Sequence, residues 1–233
     1  MEKALFLGNE AVARGAWEAG VRVCSSYPGT PSTEITETVS KYPEINSEWA
    51  TNEKVAMEVA YGAALGGARA MTCMKHVGLN VAADPFFTAA YTGVNAGLVA
   101  VVADDPFMFS SQNEQDSRLY ARSAHVPLLE PSDAQECKDF MKLAFDLSEE
   151  YDTPVLLRLT TRIAHARSLV ALEERAERAV RPYEKNMQKY VMMPGPARKR
   201  HLYVEQRERK LAENCNKMEI NRAKYRNLAV GVV

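Results

Sequence analysis

The residues best suited to chemistry in this chain stand where strands run into helices. Glu53 is the clearest of them. It sits inside Asn46 to Gly67, NSEWATNEKVAMEVAYGAALGG, between a short half-apolar strand and a helix whose side is almost bare. Ala56, Ala60, Gly62, Ala63, Ala64, Gly66 and Gly67 leave that helix open to close approach by another backbone or a flat ligand. A carboxylate at this junction has two readings: it complements the helix dipole as a first-turn acid, or it performs acid–base work. A second junction is SSYPGTPST, where backbone N–H groups and the Thr30, Ser32 and Thr33 hydroxyls gather at a helix start. Such a start suits a carboxylate or another anion, although plain turn-and-cap chemistry uses the same residue types.

The elements that would position these groups alternate along the chain. Glu10 to Ala19 reads as a helix and Val21 to Cys24 as a strand; Ser25 to Thr30 is a loop before a helix starting near Pro31. Ile45 to Trp49 is a strand ahead of the Glu53 helix, and Ala70 to Met74 is another, followed by the loop KHVGLN and a helix over Leu79 to Tyr91. Leu98 to Ala103, LVAVVA, is a continuous apolar run of the kind that forms a strand buried on both faces. A polar loop, a helix over Glu114 to Ala124, a strand at Val126 to Leu129, a helix over Ala134 to Glu150 and a strand at Pro154 to Leu159 complete the pattern. Strands separated by helices predict an α/β fold: a parallel, doubly wound sheet of about six strands with helices on both faces. Ligands bind such sheets outside the carboxyl ends of the strands. The loops SSYPGTPST, KHVGLN, DDPFMFSSQNEQDSR and TTR are therefore expected along one edge.

Bulk composition narrows the function. The 233 residues carry a net charge of −1, which argues against a dedicated nucleic-acid binder. The four cysteines, Cys24, Cys73, Cys137 and Cys215, form no CxxC, so neither a zinc knuckle nor an iron–sulfur cluster is encoded, and a cytoplasmic setting is expected. No apolar run approaches the roughly 18 residues that span a membrane. Neither a GxGxxG nor a GxxxxGK[ST] string is present, which counts against nucleotide binding. The composition shifts near Arg167: from Arg167 to Arg226 inclusive there are 16 Lys and Arg against 8 Asp and Glu, with Pro182, Pro194 and Pro196. This predicts a basic arm over 168–227, containing an exposed helix near Arg198 to Lys210. Solvated linker and partner-wrapping arm both remain open. Leu228 to Val233, LAVGVV, reads as the first strand of a further domain that is cut short.

Five strings in order, SSYPGTPSTEI, WATNEKVAMEVAYGAALGGARA, MTCMKHVGLNVAADP, VVADDPFMFSSQNEQDSR and TPVLLRLTTR, resemble the N-terminal part of the indolepyruvate:ferredoxin oxidoreductase alpha subunits. These belong to the thiamine-diphosphate-dependent 2-oxoacid:ferredoxin oxidoreductases. The YPGTPST element and the glutamate segment resemble the wider superfamily, while KHVGLN and SSQNEQD resemble the indolepyruvate branch. The resemblance implies a pyrimidine-binding domain over 1–167 that grips the aminopyrimidine of the cofactor. Glu53 then corresponds to the glutamate that hydrogen-bonds ring nitrogen N1′ and favours the imino tautomer. Apolar neighbours such as Trp49, Val55 and Met57 would help it share a proton. Pro28, His76 and Asn80 are implied as cofactor contacts, with a structural hydrogen-bonding role open for His76. Thr30 is implied as a substrate contact. Arg118 is a further candidate to clamp the substrate carboxylate, a surface or helix-start role being the alternative.

The same resemblance implies what the chain lacks. Magnesium diphosphate would be held by a GDG-bearing pyrophosphate domain elsewhere, so Asp104 and Asp105 read as loop-bracing acids and no metal ligand is assigned here. Iron–sulfur clusters, coenzyme A, a beta (gamma-type) subunit and ferredoxin belong to the complete enzyme, a homo- or hetero-oligomer. That enzyme would convert indolepyruvate and related aryl 2-oxo acids to aryl-acetyl-CoA. Alternatives are a subunit of a split thiamine-diphosphate decarboxylase and a non-catalytic assembly module.

Overall fold

The computed structural model describes residues 2–221. Its centre is a six-stranded, all-parallel sheet built from β2 (Val23–Ser26), β3 (Asn46–Trp49), β4 (Ala70–Lys75), β5 (Leu98–Asp104), β6 (Leu128–Leu129) and β7 (Val155–Thr160) in the order β3-β2-β4-β5-β7-β6. All seven residues of β5 are buried, as its unbroken apolar run requires of a central strand covered on both faces. Alternation along the strands then sorts the two cores. Val99, Val101 and Ala103 face one layer, made by α1 (Gly8–Glu18), α2 (Thr33–Val39) and α6 (Ala134–Tyr151). Leu98, Ala100 and Val102 face the other, made by α3 (Glu53–Leu65), α4 (His76–Thr92) and α5 (Arg118–Ala124).

Local signals start the helices. Asn52 Oδ1 accepts the Val55 N–H at 3.0 Å to begin α3, and Asp133 Oδ1 accepts the Glu136 N–H at 2.8 Å to begin α6. Glu10 reaches back to the Leu7 N–H at 2.8 Å and closes the first turn of α1.

Several elements depart from the sequence reading. β1 (Lys3–Leu7) and β8 (Arg167–Ala171) form an antiparallel pair outside the main sheet, and α7 (Thr161–His165) turns TTR into a short helix. The helix expected from Leu79 begins at His76, so KHVGLN is not a loop. Gly78, in the first turn, leaves the space that the Glu53 carboxylate fills, and Pro85 is buried in the apolar core. In the other direction, the segment expected to be helical from Glu114 becomes α5 only at Arg118.

The basic arm is not free in solvent. Arg175 donates to Trp17 O and Val21 O, Arg181 to Asn95 O, Lys189 to Val94 O, and Arg200 to Tyr91 O. Within α9 (Pro194–Cys215), which follows α8 (Met187–Tyr190), the buried Arg207 donates to Ala90 O, Asp152 O and His125 O. These acceptors cluster at the carboxyl ends of α1, α4, α5 and α6. The arm is basic because it crosses the negative ends of helices whose last carbonyls need donors. The expected helix near Arg198 to Lys210 lies within α9, where Val204, Arg207 and Leu211 are buried. The LAVGVV strand expected at 228–233 lies outside the described residues.

Candidate functional site

In the strand order β3-β2-β4-β5 the chain reverses direction across the sheet between β2 and β4. This is the topological switch point, and the crevice outside the carboxyl ends of those strands is where an open sheet holds its ligand. The Tyr27–Ser32 loop leaves β2 there, α4 leaves β4 there, and Glu53 enters from the end of β3.

Glu53 is the first residue of α3 and is half-buried. Its carboxylate lies against Gly78 in the first turn of α4: a Cβ built on Gly78 would stand 2.5 Å from Oε1 and 2.9 Å from Cδ. Any residue larger than glycine at 78 would push the carboxylate aside. No hydrogen bond or ion pair occupies that carboxylate among the described residues. It is positioned by packing and left with its proton-binding oxygens available.

The loop after β2 is held from within. Ser32 Oγ donates to Gly29 O at 2.8 Å, and Gly29 N–H donates to Thr33 Oγ1 at 3.0 Å. These bonds leave Pro28 and Thr30 exposed at the tip, with the Thr30–Pro31 peptide cis. Ser32 and Thr33 thus follow the turn-and-cap reading rather than the anion-binding one. His76 is buried; Nε2 meets Asn113 O at 3.0 Å, while Nδ1 is buried without a hydrogen-bond partner. Asn80 is exposed one turn further along α4, where Tyr120 donates to its Oδ1.

Arg118 lies apart, at the start of α5. Its guanidinium is forked onto Asp116, with Nη2 to Oδ2 at 2.8 Å and Nε to Oδ1 at 2.9 Å. Hydrogen bonding to Asp116 raises the Arg118 pKa, and that of Asp116 is lowered in return. The structure thus sets Glu53 against the first turn of α4, the helix that carries His76 and Asn80, lays the Gly29–Thr30 loop beside Lys75, and keeps Arg118 engaged on Asp116.

Asp104 and Asp105 brace the edge. Asp104, fully buried at the tip of β5, accepts from Arg158 Nε at 2.7 Å and from the Ser117 N–H at 3.1 Å; Arg158 also donates to Glu130. Asp105 accepts from Ser110 N–H and Ser111 Oγ at 2.7 Å each, from Thr161 Oγ1 at 2.8 Å and from Phe109 N–H at 3.2 Å. Burial pushes the Asp105 carboxyl up, but these four donors outweigh it and hold the pKa below its ordinary value. They tie the 106–117 loop to the end of β5 and to α7, while His76 Nε2 on Asn113 O ties it to the head of α4.

Two residues of the crevice escaped the sequence reading. Gly78 carries a signal in hindsight, a glycine in the first turn of a helix that leaves a buried strand. Lys75, at the end of β4, carries none, because a lysine after a buried run reads as an ordinary strand terminus.

Residues 14–227 match the family model described as pyruvate flavodoxin/ferredoxin oxidoreductase, thiamine diphosphate-binding, and the chain belongs to that family. Curated relatives carry the name indolepyruvate oxidoreductase subunit IorA. The protein from Methanothermobacter marburgensis is 52% identical over 95% of this chain, and that from Pyrococcus horikoshii 49% identical over 94%. The chain covers 36% and 35% of those two proteins, about a third of their length. Among solved structures, the 2-oxoglutarate:ferredoxin oxidoreductase from Magnetococcus marinus superposes with a TM-score of 0.74, covering 91% of this chain and 45% of that one. At 16% identity, that likeness concerns the fold.

Proposed function

We propose that this chain is the pyrimidine-binding part of an aryl 2-oxo acid:ferredoxin oxidoreductase, with indolepyruvate as the representative substrate. The observation that carries the reading is the Glu53 carboxylate, seated against Gly78 at the switch-point crevice with no partner of its own among the described residues. The crevice suits an aminopyrimidine ring: it offers a carboxyl group free of protein partners among the described residues and the buried, unpartnered His76 Nδ1.

Thiamine diphosphate, when bound, supplies the carbanion equivalent that adds to a 2-oxo carbon. Glu53 holds a proton between its carboxyl group and the pyrimidine ring nitrogen. Pro28, His76 and Asn80 line the ring, His76 fixed by Asn113 O and Asn80 by Tyr120. The Thr30 hydroxyl orients the substrate, and Arg118 is available to its carboxylate only when Asp116 releases it. Magnesium and the diphosphate are held by another domain or chain, while iron–sulfur clusters, coenzyme A, a beta subunit and ferredoxin complete the oxidation in an oligomer. The four free cysteines suit a cytoplasmic setting, and among the described residues no helix is long and apolar enough to cross a membrane. We take 1–167 as the pyrimidine-binding body and 168–227 as the arm, which begins within β8 (Arg167–Ala171).

Calorimetric titration of thiamine diphosphate into the assembled complex, with and without magnesium, tests this reading. Magnesium-dependent, saturable binding supports it; absence of binding would make the chain an assembly module.

A further inference from the structure

Lys75 is a cation at the carboxyl edge with no carboxylate to neutralise it among the described residues. It ends β4, immediately beside the switch point, and is the residue from which the 17-residue helix α4 departs. Its stem lies over the substrate loop: a Cβ built on Gly29, the neighbour of Thr30, would meet Lys75 Cδ at 3.0 Å. Its ammonium donates to Ser110 O at 2.9 Å. That bond uses one of three donors, and its acceptor is a neutral carbonyl. Of the other cations of this edge, Arg158 is spent on Asp104 and Glu130 and Arg118 on Asp116, while Arg162 of α7 follows β7, two strands away from β4. The amino end of α4 adds positive potential at the same place.

Adjacent to Ser110, the loop presents two aromatic rings to solvent. Phe107 is 80% and Phe109 74% exposed, with ring centroids 5.8 Å apart. The backbone beneath them is rigidly tied, since Asp105 accepts the Phe109 and Ser110 N–H groups. A paired apolar surface on a braced loop at the mouth of a crevice marks a contact for something apolar. Ser110 joins the two features: its carbonyl holds the ammonium, and its amide neighbour is Phe109.

We propose that Lys75 is the residue that positions the carboxylate of the 2-oxo acid, and that Phe107 and Phe109 form the wall covering its aryl group. This rests on the reading of the chain as part of an aryl 2-oxo acid oxidoreductase. The substrate carboxylate takes the two remaining ammonium donors above Gly29 and Thr30, with no resident carboxylate to displace. Its planar aryl group lies against the Phe pair, which an alkyl 2-oxo acid leaves uncovered. The lysine therefore binds every 2-oxo acid, and the rings select the aromatic ones.

The test uses the assembled oxidoreductase carrying wild-type chain, Lys75→Met, Lys75→Arg or Phe109→Ala, assayed with indolepyruvate and with pyruvate against a viologen dye. Lys75→Met should raise KM for both acids about 10- to 100-fold, with a much smaller change in kcat, and Lys75→Arg should restore most of the loss. Thiamine-diphosphate affinity and circular dichroism should match wild type, which separates lost substrate binding from lost structure. Phe109→Ala should lower the indolepyruvate-to-pyruvate ratio of kcat/KM about tenfold. An unchanged KM in Lys75→Met, or a loss confined to kcat, would overturn the proposal even while the wild-type complex turns over 2-oxo acids. A wild-type complex active on no 2-oxo acid would overturn the underlying reading instead.

Discussion

The Glu53 carboxylate and the Cα of Gly78 share a space in which no β-carbon fits: a Cβ at 78 would approach Oε1 to 2.5 Å and Cγ to 2.7 Å. Two helices that leave different strands, α3 from β3 and α4 from β4, thus fix one acid without any hydrogen bond to it among the described residues. Packing sets the position, and the oxygens remain free for a ligand.

Gly78→Ala separates function from stability. Alanine is a better helix former than glycine by about 1 kcal/mol. The added methyl, however, would displace the carboxylate, and misplacing a reacting group by about 1 Å can cost about 100-fold in rate. The complex carrying Gly78→Ala should therefore lose turnover about 100-fold while its thermal midpoint stays within a few degrees of wild type. Turnover assays beside thermal unfolding check this, and a variant of normal activity would show that Glu53 tolerates another place.

The 106–117 loop should respond to acid through Asp105. Its folded-state pKa lies below the ordinary value, so its contribution to stability is fully present above that value, near 3.8. It is lost as pH falls through the lowered folded pKa. Amide exchange at Phe109 and Ser110 should stay protected down to about pH 4 and accelerate below it. In Asp105→Asn the protection should be weaker at neutral pH and should lose its dependence on acid. A loop that opens between pH 5 and 7 would place its brace elsewhere.

The arm is anchored by a buried cation. Lys138 and Glu18 are both fully buried, 3.1 Å apart, and Lys138 also reaches Glu173 of the arm at 3.0 Å. Lys138→Met leaves the buried Glu18 with Arg14 at 2.9 Å and the Glu173 N–H at 2.8 Å, so the variant should lose about 1.5–3 kcal/mol. Glu173→Ala removes a much more exposed partner and should cost less, about 1 kcal/mol. Denaturant titration of the two variants checks the ordering, and equal losses would contradict it.

The sheet was legible because local signals and burial agree along most of it. LVAVVA could only be a doubly covered strand, and Asn52 and Asp133 cap helices where sequence placed them. The arm was not legible in the same way. Arg207 and Ala90 are 117 residues apart, and nothing local to Arg207 says that its charge answers a helix end rather than water. The head of α4 was misread for a related reason, since Gly78 looks like a breaker until Glu53 occupies the space beside it. Glu53 itself was visible as an acid at a strand–helix junction. Lys75 was invisible because its importance lies in the missing partner, a property of the assembled edge.

Glu53→Gln in the assembled complex reports whether Glu53 holds the proton that the reaction moves. Glutamine keeps the size and the packing against Gly78 but cannot take or give that proton. Steady-state turnover of indolepyruvate should fall by about 100-fold or more, with protein stability unchanged. Turnover near wild type would contradict the account.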